Sequence, residues 1–406
     1  MVIGFDGSRA FISQKTGTEN YSYQLLKALA KIDKANRYFV YTRPFISRPI
    51  DQLMKLPKNF KVVEIRWPRF WTQGGLAVQT FKDNLDVLFV PSHTLPIIRR
   101  PGLKTVITVH DLGSEYLPSM HQLKQRLYLG FMQKYQLNSA TKIIAVSQAT
   151  KLDLVKRIGI DPGKIKVVYE GYDQGNFKNQ NSKVKIDAQS SILKYYELIT
   201  NNYFLFVGTV QPRKNLERVI SAFSRFIAQS KTRNGDSIEY KVSSIEGKKQ
   251  KKAKPHYTLY TIPYTLVIAG SKGWLSNDIY KLPKKLGIED RVKFLGYVPE
   301  KDLPALYSGA QALVFPSLFE GFGLPILEAQ ACGCPVVTSN VSSMPEVAGK
   351  GAIYVDPYSV DDIVDGMERV KGKAERVKLI KAGYENIKRF SWEKCAAQTL
   401  KVFEEL

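Results

Sequence analysis

The sequence is poor in cysteine, has no long apolar run and carries too few acidic residues to balance its basic ones. Its three cysteines cannot form a disulfide framework, and Cys332 and Cys334 stand too alone for a zinc site. No segment reaches the ~20 predominantly apolar residues that cross a bilayer. The start, MVIGFDGSRAF, lacks the basic residues of a secretory signal. We therefore expect a cytoplasmic protein that does not span a membrane, although it could lie at the inner face of one.

The charge balance predicts an acidic partner. Sixty Lys and Arg against 37 Asp and Glu give a net charge of +23, and residues 1–150 hold 21 basic and 9 acidic side chains. The remainder is nearly balanced apart from a basic run at 231–254. An anionic membrane or nucleic acid would suit such a charge. Because the charge is spread and no nucleic-acid-binding motif is present, we do not expect nucleic acid.

Short β-branched runs alternate with amphipathic stretches along the whole chain, which indicates parallel α/β architecture. The predicted strands lie near 2–6, 38–43, 61–66, 87–91, 104–110, 142–147 and 164–169, and near 203–209, 264–270, 292–296, 312–317, 335–339 and 352–356. Behind Asn215, a candidate N-cap, apolar residues recur at helical spacing: Leu216, Val219, Ile220, Phe223 and Ile227. Two sets of βα units predict two facing, doubly wound, Rossmann-like domains.

Two breaks in the pattern divide the chain. A polar stretch separates the two sets of strands, which predicts a first domain at 1–180 and a second at 181–385. Residues 229–257, with the lysine-rich run 247–254, are predicted to form an insertion loop, and such a run is usually a solvated face. We expect residues 386–406 to form a C-terminal helix that packs back on the first domain.

Ligands of open parallel sheets bind beyond the carboxyl ends of the strands. Four loops at such ends, 15–19, 110–111, 210–215 and 318–328, carry residues that suit charged small molecules.

Arg213 and Lys214 are adjacent cations at a helix start, where the helix dipole is already positive. An anion between them would offset that conflict, and a diphosphate matches both the fork of Arg and the point charge of Lys. A plain surface pair on a basic protein is the alternative.

The segment 320–328 has the features of a ligand-binding turn. Gly321 and Gly323 let the chain approach a ligand closely, and the N–H groups of residues 321–324 could bond a phosphate or sugar hydroxyls. Glu328 would lie about one turn into the following helix, where its carboxylate could accept hydrogen bonds from a ribose. The alternative is a tight βα turn with an ordinary surface glutamate.

Residues 295–357 resemble glycosyltransferase family 4, which comprises retaining enzymes of the two-domain GT-B fold. The motifs are E-x7-E from Glu320 to Glu328, G-x4-R-K-N from Gly208 to Asn215, VIAGSKGW at 267–274, His-Asp at 110–111 and AVSQATKLDL at 145–154. The resemblance covers nearly the whole chain outside the 229–257 insertion. It implies an acceptor-binding first domain, a nucleotide-sugar-binding second domain and an active site in the cleft between them.

The resemblance also implies residue roles in the transfer of a hexose from a nucleotide sugar to a glycan or lipid-linked acceptor. Arg213 and Lys214 would neutralise the donor diphosphate, Glu320 would contact the transferred sugar, and His110 would lie beside the sugar ring. These four are the implied catalytic residues. The implied donor-binding residues are Gly17, Gly208, Arg213, Lys214, Gly321, Phe322, Gly323, Leu324 and Glu328.

One position departs from the family pattern. Many relatives have Gly-Gly-x-Gly in the first loop, whereas this chain has Thr16-Gly17-Thr18-Glu19. A similar Thr-Gly-x-Glu pattern occurs in mannosyltransferases of polysaccharide assembly, which places GDP-mannose ahead of a UDP-sugar as the donor. Without an obvious carboxylate nucleophile, front-face attack fits a retaining transfer. No Asp-x-Asp follows a strand and the Arg-Lys pair makes a cation unnecessary, so we expect neither a metal nor another cofactor.

Other interpretations remain open. The basic first domain would suit anionic lipid headgroups or a polyprenyl diphosphate. Trp67, Phe70 and Trp71, interleaved with Arg66 and Arg69, fit either a core or an amphipathic lip on a membrane. The chain could instead be a non-catalytic basic protein on the same fold that binds anionic membrane or nucleic acid, or an enzyme with a changed reaction, such as a phosphorylase or epimerase. The complete set of Arg, Lys and two Glu residues favours the transferase.

Overall fold

The computed structural model describes residues 1–12, 17–44, 54–92, 94–112, 134–177, 183–233 and 264–406. Within these ranges the chain forms two parallel sheets. The first contains β1 (Val2–Asp6), β2 (Arg37–Thr42), β3 (Phe60–Glu64), β4 (Val87–Val90), β5 (Lys104–Val109), β6 (Lys142–Ala145) and β7 (Ile165–Val167). The second contains β8 (Tyr203–Val207), β9 (Thr265–Ala269), β10 (Val292–Gly296), β11 (Ala312–Phe315), β12 (Val336–Ser339) and β13 (Ala352–Val355). Each strand predicted from the sequence is present, most of them shorter by one to three residues.

Both sheets reverse their direction of growth at one point. The strand orders are β3-β2-β1-β4-β5-β6-β7 and β10-β9-β8-β11-β12-β13, and all the strand pairs are parallel. The order therefore reverses between β1 and β4 in the first sheet and between β8 and β11 in the second. Such switch points leave a crevice at the carboxyl edge, where doubly wound sheets bind ligands.

Helices cover the faces of both sheets. In chain order they are α1 (Gly17–Ile32), α2 (Ala77–Lys82), α3 (Gln148–Asp153), α4 (Gln174–Phe177), α5 (Lys183–Tyr195), α6 (Leu216–Arg233), α7 (Asn277–Lys285), α8 (Leu303–Gly309), α9 (Leu324–Ala331), α10 (Met344–Ala348), α11 (Val360–Arg369), α12 (Lys373–Asn386) and α13 (Trp392–Glu404). Because helices lie on both faces, the residues of β4, β8, β11 and β12 are buried throughout. This burial explains why these strands are nearly continuous apolar runs in the sequence.

The last helix, α13, packs on the first domain although it follows the second in the chain. The ring of Phe403 lies 5.3 Å from that of Phe89 in β4, and Trp392 packs edge-on against Tyr21 of α1. Lys31 and Glu393 form an ion pair at the surface of this contact. The chain therefore crosses between its two domains twice.

Loops of the two domains also contact each other directly. The carboxylate of Glu346 in α10 accepts hydrogen bonds from the backbone N–H groups of Gln148 and Ala149, at the start of α3. Thr150 donates from its hydroxyl to the carbonyl of Gly321 at 3.3 Å. A negative charge at a helix N-terminus is stabilising, so Glu346 holds the domains together at the carboxyl edges of their sheets.

Two local expectations need correction. Asn215 precedes α6, but its backbone is left-handed (φ 64°) and its side-chain amide donates to the carbonyls of Pro316 and Pro357 instead of capping the helix. The helix continues to Arg233, so the predicted insertion loop begins later than residue 229. The rest of that predicted loop, 234–257, lies outside the described residues.

The aromatic segment before α2 is partly buried and partly exposed. Trp71 is buried and donates from Nε1 to the carbonyl of Ile65, whereas Phe70 is 80% exposed and Trp67 is also exposed. Among the described residues, no helix is both long and apolar enough to cross a bilayer.

Substitution of Gly171 by Ala should destabilise the chain, because an added Cβ would lie 2.2 Å from the backbone nitrogen of Trp392. Forcing α13 away from the first domain should cost about 1–3 kcal/mol of the free energy of unfolding. Chemical denaturation measures this cost. Gly372→Ala is the matched control, since Gly372 has an ordinary backbone conformation and its added Cβ would lie 3.4 Å from the nearest atom. Equal denaturation midpoints for the two variants would contradict the packing argument.

Candidate active site

Two cations and a buried carboxylate meet at the switch point of the second sheet. Arg213 and Lys214 lie in a 3-10 turn that follows β8, and Glu320 lies in the loop that follows β11. Arg213 Nη1 is 3.0 Å from Glu320 Oε2, and Lys214 Nζ bonds Glu320 Oε1. Lys214 also lies over the ring of Phe315. The sequence placed the three residues on loops at the carboxyl ends of strands, and the structure brings their charged atoms into contact.

The charges of Arg213, Lys214 and Glu320 stabilise one another although the three side chains are largely buried. Burial raises the pKa of Glu320, but Lys214 and Arg213 outweigh this effect and hold the pKa below its usual value. Burial lowers the pKa of Lys214, and the attraction of Glu320 only partly restores it. Asp111 of the first domain adds a second carboxylate, with its Oδ2 3.7 Å from Arg213 Nη1. The cations are thus held in place by carboxylates from both domains.

Gly321 lets the second domain touch the first beside His110. A Cβ added at Gly321 would lie only 1.6 Å from the carbonyl oxygen of His110, so no other residue fits this approach. Gly208, after β8, lies near Lys214: its added Cβ would be 3.7 Å from Lys214 Cε. These two predicted glycines therefore border the charged cluster.

Two serines, which the sequence reasoning missed, fix the loop after β11. Ser343 donates to the carbonyls of Glu320 and Phe322, and Ser342 donates to the carbonyl of Glu320. Both lie just before α10, inside the segment whose resemblance was noted, but only the folded loop shows which carbonyls they bind.

The remaining residues of this loop have distinct environments. The Phe322 side chain is buried against Tyr169 and Phe390, so only its backbone can face a ligand. Gly323 and Leu324 form the start of α9, where the first N–H groups have no intrahelical partner. Glu328 lies in the second turn of α9.

Glu328 is held by Tyr307, whose hydroxyl donates to Glu328 Oε2 at 2.8 Å. Burial raises the pKa of Glu328 to about 7, although the Tyr307 hydrogen bond opposes this shift. Its carboxyl group therefore titrates near neutral pH, unlike that of Glu320.

His110, directly after β5, has hydrogen-bond acceptors at both ring nitrogens. Nδ1 lies 3.1 Å from Glu170 Oε1, and Nε2 lies 3.1 Å from the carbonyl oxygen of Pro91. Tyr21 packs edge-on against the ring at 4.6 Å. A carboxylate and a carbonyl can both be satisfied only when both nitrogens carry protons.

The pKa of His110 reflects this arrangement. Burial lowers it, but the hydrogen bond and charge of Glu170 and the Pro91 carbonyl outweigh burial, so the pKa is raised above its ordinary value. The raised pKa and the two acceptors both favour the doubly protonated ring, in which neither nitrogen can accept a proton. Glu170 was missed in the sequence, although it comes three residues after β7 and inspection of the strand ends could have found it.

Gly17 and Glu19 lie in the first turn of α1, next to residues 13–16, which lie outside the described residues. No atom lies within 4 Å of a Cβ added at Gly17, which is one helical turn before Tyr21 in α1. The Glu19 carboxylate pairs with Arg9 at 2.9 Å. The residue that departs from the family pattern is thus bound to a cation of its own domain.

The described residues include no group of three or more His, Cys, Asp or Glu side chains that could hold a metal ion. Cys332, Cys334 and Cys395 are buried as free thiols.

Two Rossmann-like domains face each other, with a charged cluster and a histidine where their carboxyl edges meet. This is the arrangement that the sequence resemblance implied. A family model described as "Glycosyltransferase Family 4" matches residues 15–175, and one described as "Glycosyl transferases group 1" matches residues 196–386. The chain is therefore a glycosyltransferase whose first domain matches the family 4 model and whose second matches the group 1 model, as the sequence motifs predicted.

Two curated relatives are similar to this chain in sequence, and one solved structure is similar to it in fold. "O-antigen chain mannosyltransferase B" of Escherichia coli is 29% identical over 96% of this chain and 96% of its own. "O-antigen chain mannosyltransferase RfbU" of Salmonella typhimurium is 28% identical over 84% of this chain and 83% of its own. The crystal structure of Anabaena HepE in complex with UDP and glucose superposes with a TM-score of 0.71 at 19% identity and covers 100% of both chains, which supports the fold.

Substitution of Glu170 by Gln should lower the pKa of His110, because it keeps the shape of the partner and removes its charge. NMR titration of labelled imidazoles can follow this, since the chain has four histidines and His110→Asn identifies the resonance. The stabilising effect of the pair should be complete below the unfolded pKa of about 6.5 and lost as the pH rises through the folded value. Glu64→Gln, in an exposed pair with Arg66, is the control. An unchanged His110 titration in Glu170→Gln would refute the assignment.

Proposed function

We propose that this glycosyltransferase transfers a hexose, with mannose as the first candidate, from a nucleotide sugar to a glycan or lipid-linked acceptor with retention of configuration. The observation that carries the proposal is the cluster of Arg213, Lys214 and Glu320 at the switch point of the second sheet, with His110 facing it from the first. This arrangement offers fixed cations for a diphosphate beside a carboxylate suited to sugar hydroxyls.

The donor diphosphate would bind to Arg213 and Lys214. Glu320 and Asp111 already fix the direction of these cations, so little reorganisation is needed when charge develops on the leaving phosphate. The backbone N–H groups at the start of α9 would add donors for the phosphate or for the sugar hydroxyls.

Glu320 would share its carboxylate between the cations and the hydroxyls of the transferred sugar. Glu328, further along α9, would accept hydrogen bonds from the ribose hydroxyls. Gly17 and Gly208 would allow the backbone of their loops to approach the donor.

The hydrogen bonds of His110 bear on the reaction. Because both of its ring nitrogens are occupied by acceptors, His110 would act as a cation beside the sugar and not as a general base. This supports front-face attack. The bond between the anomeric carbon and the phosphate oxygen breaks, the acceptor oxygen bonds to the same face, and the acceptor proton passes to the leaving phosphate.

The relatives favour mannose as the sugar, since two of them are named mannosyltransferases. We place GDP-mannose first and a UDP-sugar second, the latter because HepE was crystallised with UDP and glucose. We further propose that the two cations stabilise the leaving group without a metal ion. The buried, paired charges disfavour the alternative of a non-catalytic basic binding protein, because net charge alone would not require them.

GDP-mannose and GDP should raise the melting temperature of the chain, with or without EDTA, and the rise should disappear in the double variant Arg213→Ala/Lys214→Ala. A thermal-shift panel of GDP, UDP, ADP and their sugar conjugates measures this. The double variant leaves the Glu320 carboxylate unpaired and should itself be less stable, so only the nucleotide-induced shift is compared. Arg225→Ala, in an exposed pair with Asp361, is the control. The absence of any nucleotide-induced shift in the wild type would sink the proposal, and a shift lost in EDTA would refute the metal-free site.

Affinity for a nucleotide sugar should fall as the pH is lowered from about 8 to about 6, because Glu328 then gains a proton and accepts fewer hydrogen bonds. The loss should be roughly fivefold, the difference between a charged and a neutral hydrogen bond. Calorimetry with an intact nucleotide sugar avoids the titrating terminal phosphate of a free diphosphate. Glu328→Gln should bind weakly at both pH values. A pH dependence that persists in this variant would mean that another group is responsible.

A further inference from the structure

The carboxylate of Glu346 joins the two domains, although Glu346 is not part of the charged cluster. It lies in α10 of the second domain, and its Oε1 and Oε2 lie 2.8 Å and 3.0 Å from the backbone nitrogen of Gln148 in the first. Oε2 also accepts from the N–H of Ala149 at 3.3 Å. These N–H groups belong to the first turn of α3, where they have no intrahelical partner and the helix dipole favours a negative charge. The contact therefore needs both the length and the charge of Glu346.

In the first domain, the segment that Glu346 binds also contacts the backbone of His110. Ser147 caps α3, because its hydroxyl oxygen accepts from the N–H of Thr150 at 3.0 Å. The Thr150 hydroxyl lies 3.3 Å from the carbonyl oxygens of both His110 and Gly321. The start of α3 therefore cannot move away from Glu346 without disturbing the contact at His110.

In the second domain, the segment that carries Glu346 also holds the loop after β11. Ser342 and Ser343, just before α10, contact the carbonyl oxygen of Glu320 through their hydroxyls at 2.6 Å and 3.0 Å. The Ser343 hydroxyl also lies 2.8 Å from the carbonyl oxygen of Phe322. One short segment thus connects Glu346 to the loop whose carboxylate holds the two cations.

A third link runs through Tyr169, which follows β7. Its hydroxyl hydrogen-bonds the Glu346 carboxylate, and burial together with this bond raises the pKa of Tyr169 to about 12. The next residue, Glu170, contacts His110 Nδ1, and the Tyr169 ring packs against Phe322 of the second domain. Glu346 therefore also bonds the neighbour of the residue that orients His110.

All three links act on the separation between His110 and Glu320. The backbones of the two domains already touch where Gly321 lies against the His110 carbonyl. One contact leaves the domains free to rotate about it, and a second contact restricts that rotation. A displacement of about 1 Å between reacting groups can cost about a hundredfold in rate, even when the altered residue is far from the chemistry.

We propose that Glu346 is a positioning residue for the transfer reaction, which acts through α3 and the loop after β11 to set the separation between His110 and the cations. The inference rests on the proposed function, since it gives the arrangement of the cleft a role in that reaction. Arg213 and Lys214 belong to the second domain. Loss of Glu346 should therefore slow transfer and leave donor binding nearly intact.

Turnover of GDP-mannose, with methyl α-mannopyranoside as the acceptor, tests the effect on rate, and calorimetry gives the donor Kd. Glu346→Ala should lower kcat about tenfold or more, the factor that one lost hydrogen bond to a charged group produces, while the donor Kd changes less than about twofold. Glu346→Gln keeps the length and one acceptor oxygen, so it should recover part of the loss. Tyr169→Phe should lower kcat to a smaller extent. Glu385→Gln, in an exposed pair with Lys388, is the matched control and should change neither constant.

The arrangement of the domains can be measured without any substrate. The three native cysteines are buried as free thiols, so spin labels on introduced cysteines at the exposed Lys58 and Lys285 would report the distance between the domains. Pulsed electron resonance on Lys58→Cys/Lys285→Cys should give a narrow distance distribution. The distribution should broaden or lengthen when Glu346→Ala is added and stay the same when Glu385→Gln is added.

An unchanged distance distribution in Glu346→Ala, or a kcat equal to that of Glu385→Gln, would overturn the assignment. If Glu346→Ala does not fold, Glu346→Gln and Tyr169→Phe give the same comparison. Failure of the wild type to bind or turn over any nucleotide sugar would instead remove the proposed function, and the role of Glu346 in transfer with it. The distance measurement distinguishes the two failures, because it does not depend on activity.

Discussion

The buried Glu320 carboxylate, held between Arg213 and Lys214, is the interaction on which the site depends. Burial would protonate an isolated carboxyl group and would neutralise an isolated lysine. Together the groups oppose these effects, because the two cations hold the pKa of Glu320 below its usual value and Glu320 offsets part of the lowering of the Lys214 pKa. Each group also fixes the direction of the others. The loops after β8 and β11 must therefore lie side by side, which they do because these strands are neighbours at the switch point.

The loop after β11, which carries Glu320, also brings the two domains close together. Directly after Glu320, Gly321 places its Cα against the His110 carbonyl, and Thr150 bonds the Gly321 carbonyl from the same side. Glu346 completes the contact by accepting from the start of α3. The groups that would hold the donor and those that face the sugar thus belong to one packed interface, so a small change in the angle between the domains would alter the geometry of both.

Much of the fold could be predicted because buried parallel strands leave a simple signal in the sequence. Each strand appeared as a short apolar run, and the rule that ligands bind after strands selected His110, Arg213, Lys214 and Glu320 before any contact was known. The rule could not show the partners that set the charge states, since the pairing of His110 with Glu170 joins loops 60 residues apart in the chain.

The excess positive charge of the chain lies outside the contacts where the chemistry would occur. In the cleft, Arg213 and Lys214 face Glu320 and Asp111, and His110 faces Glu170. Buried cations need such partners, whereas exposed ones are solvated and act over longer distances. The net charge of +23 would therefore raise the concentration of an anionic donor or a membrane-bound acceptor near the protein.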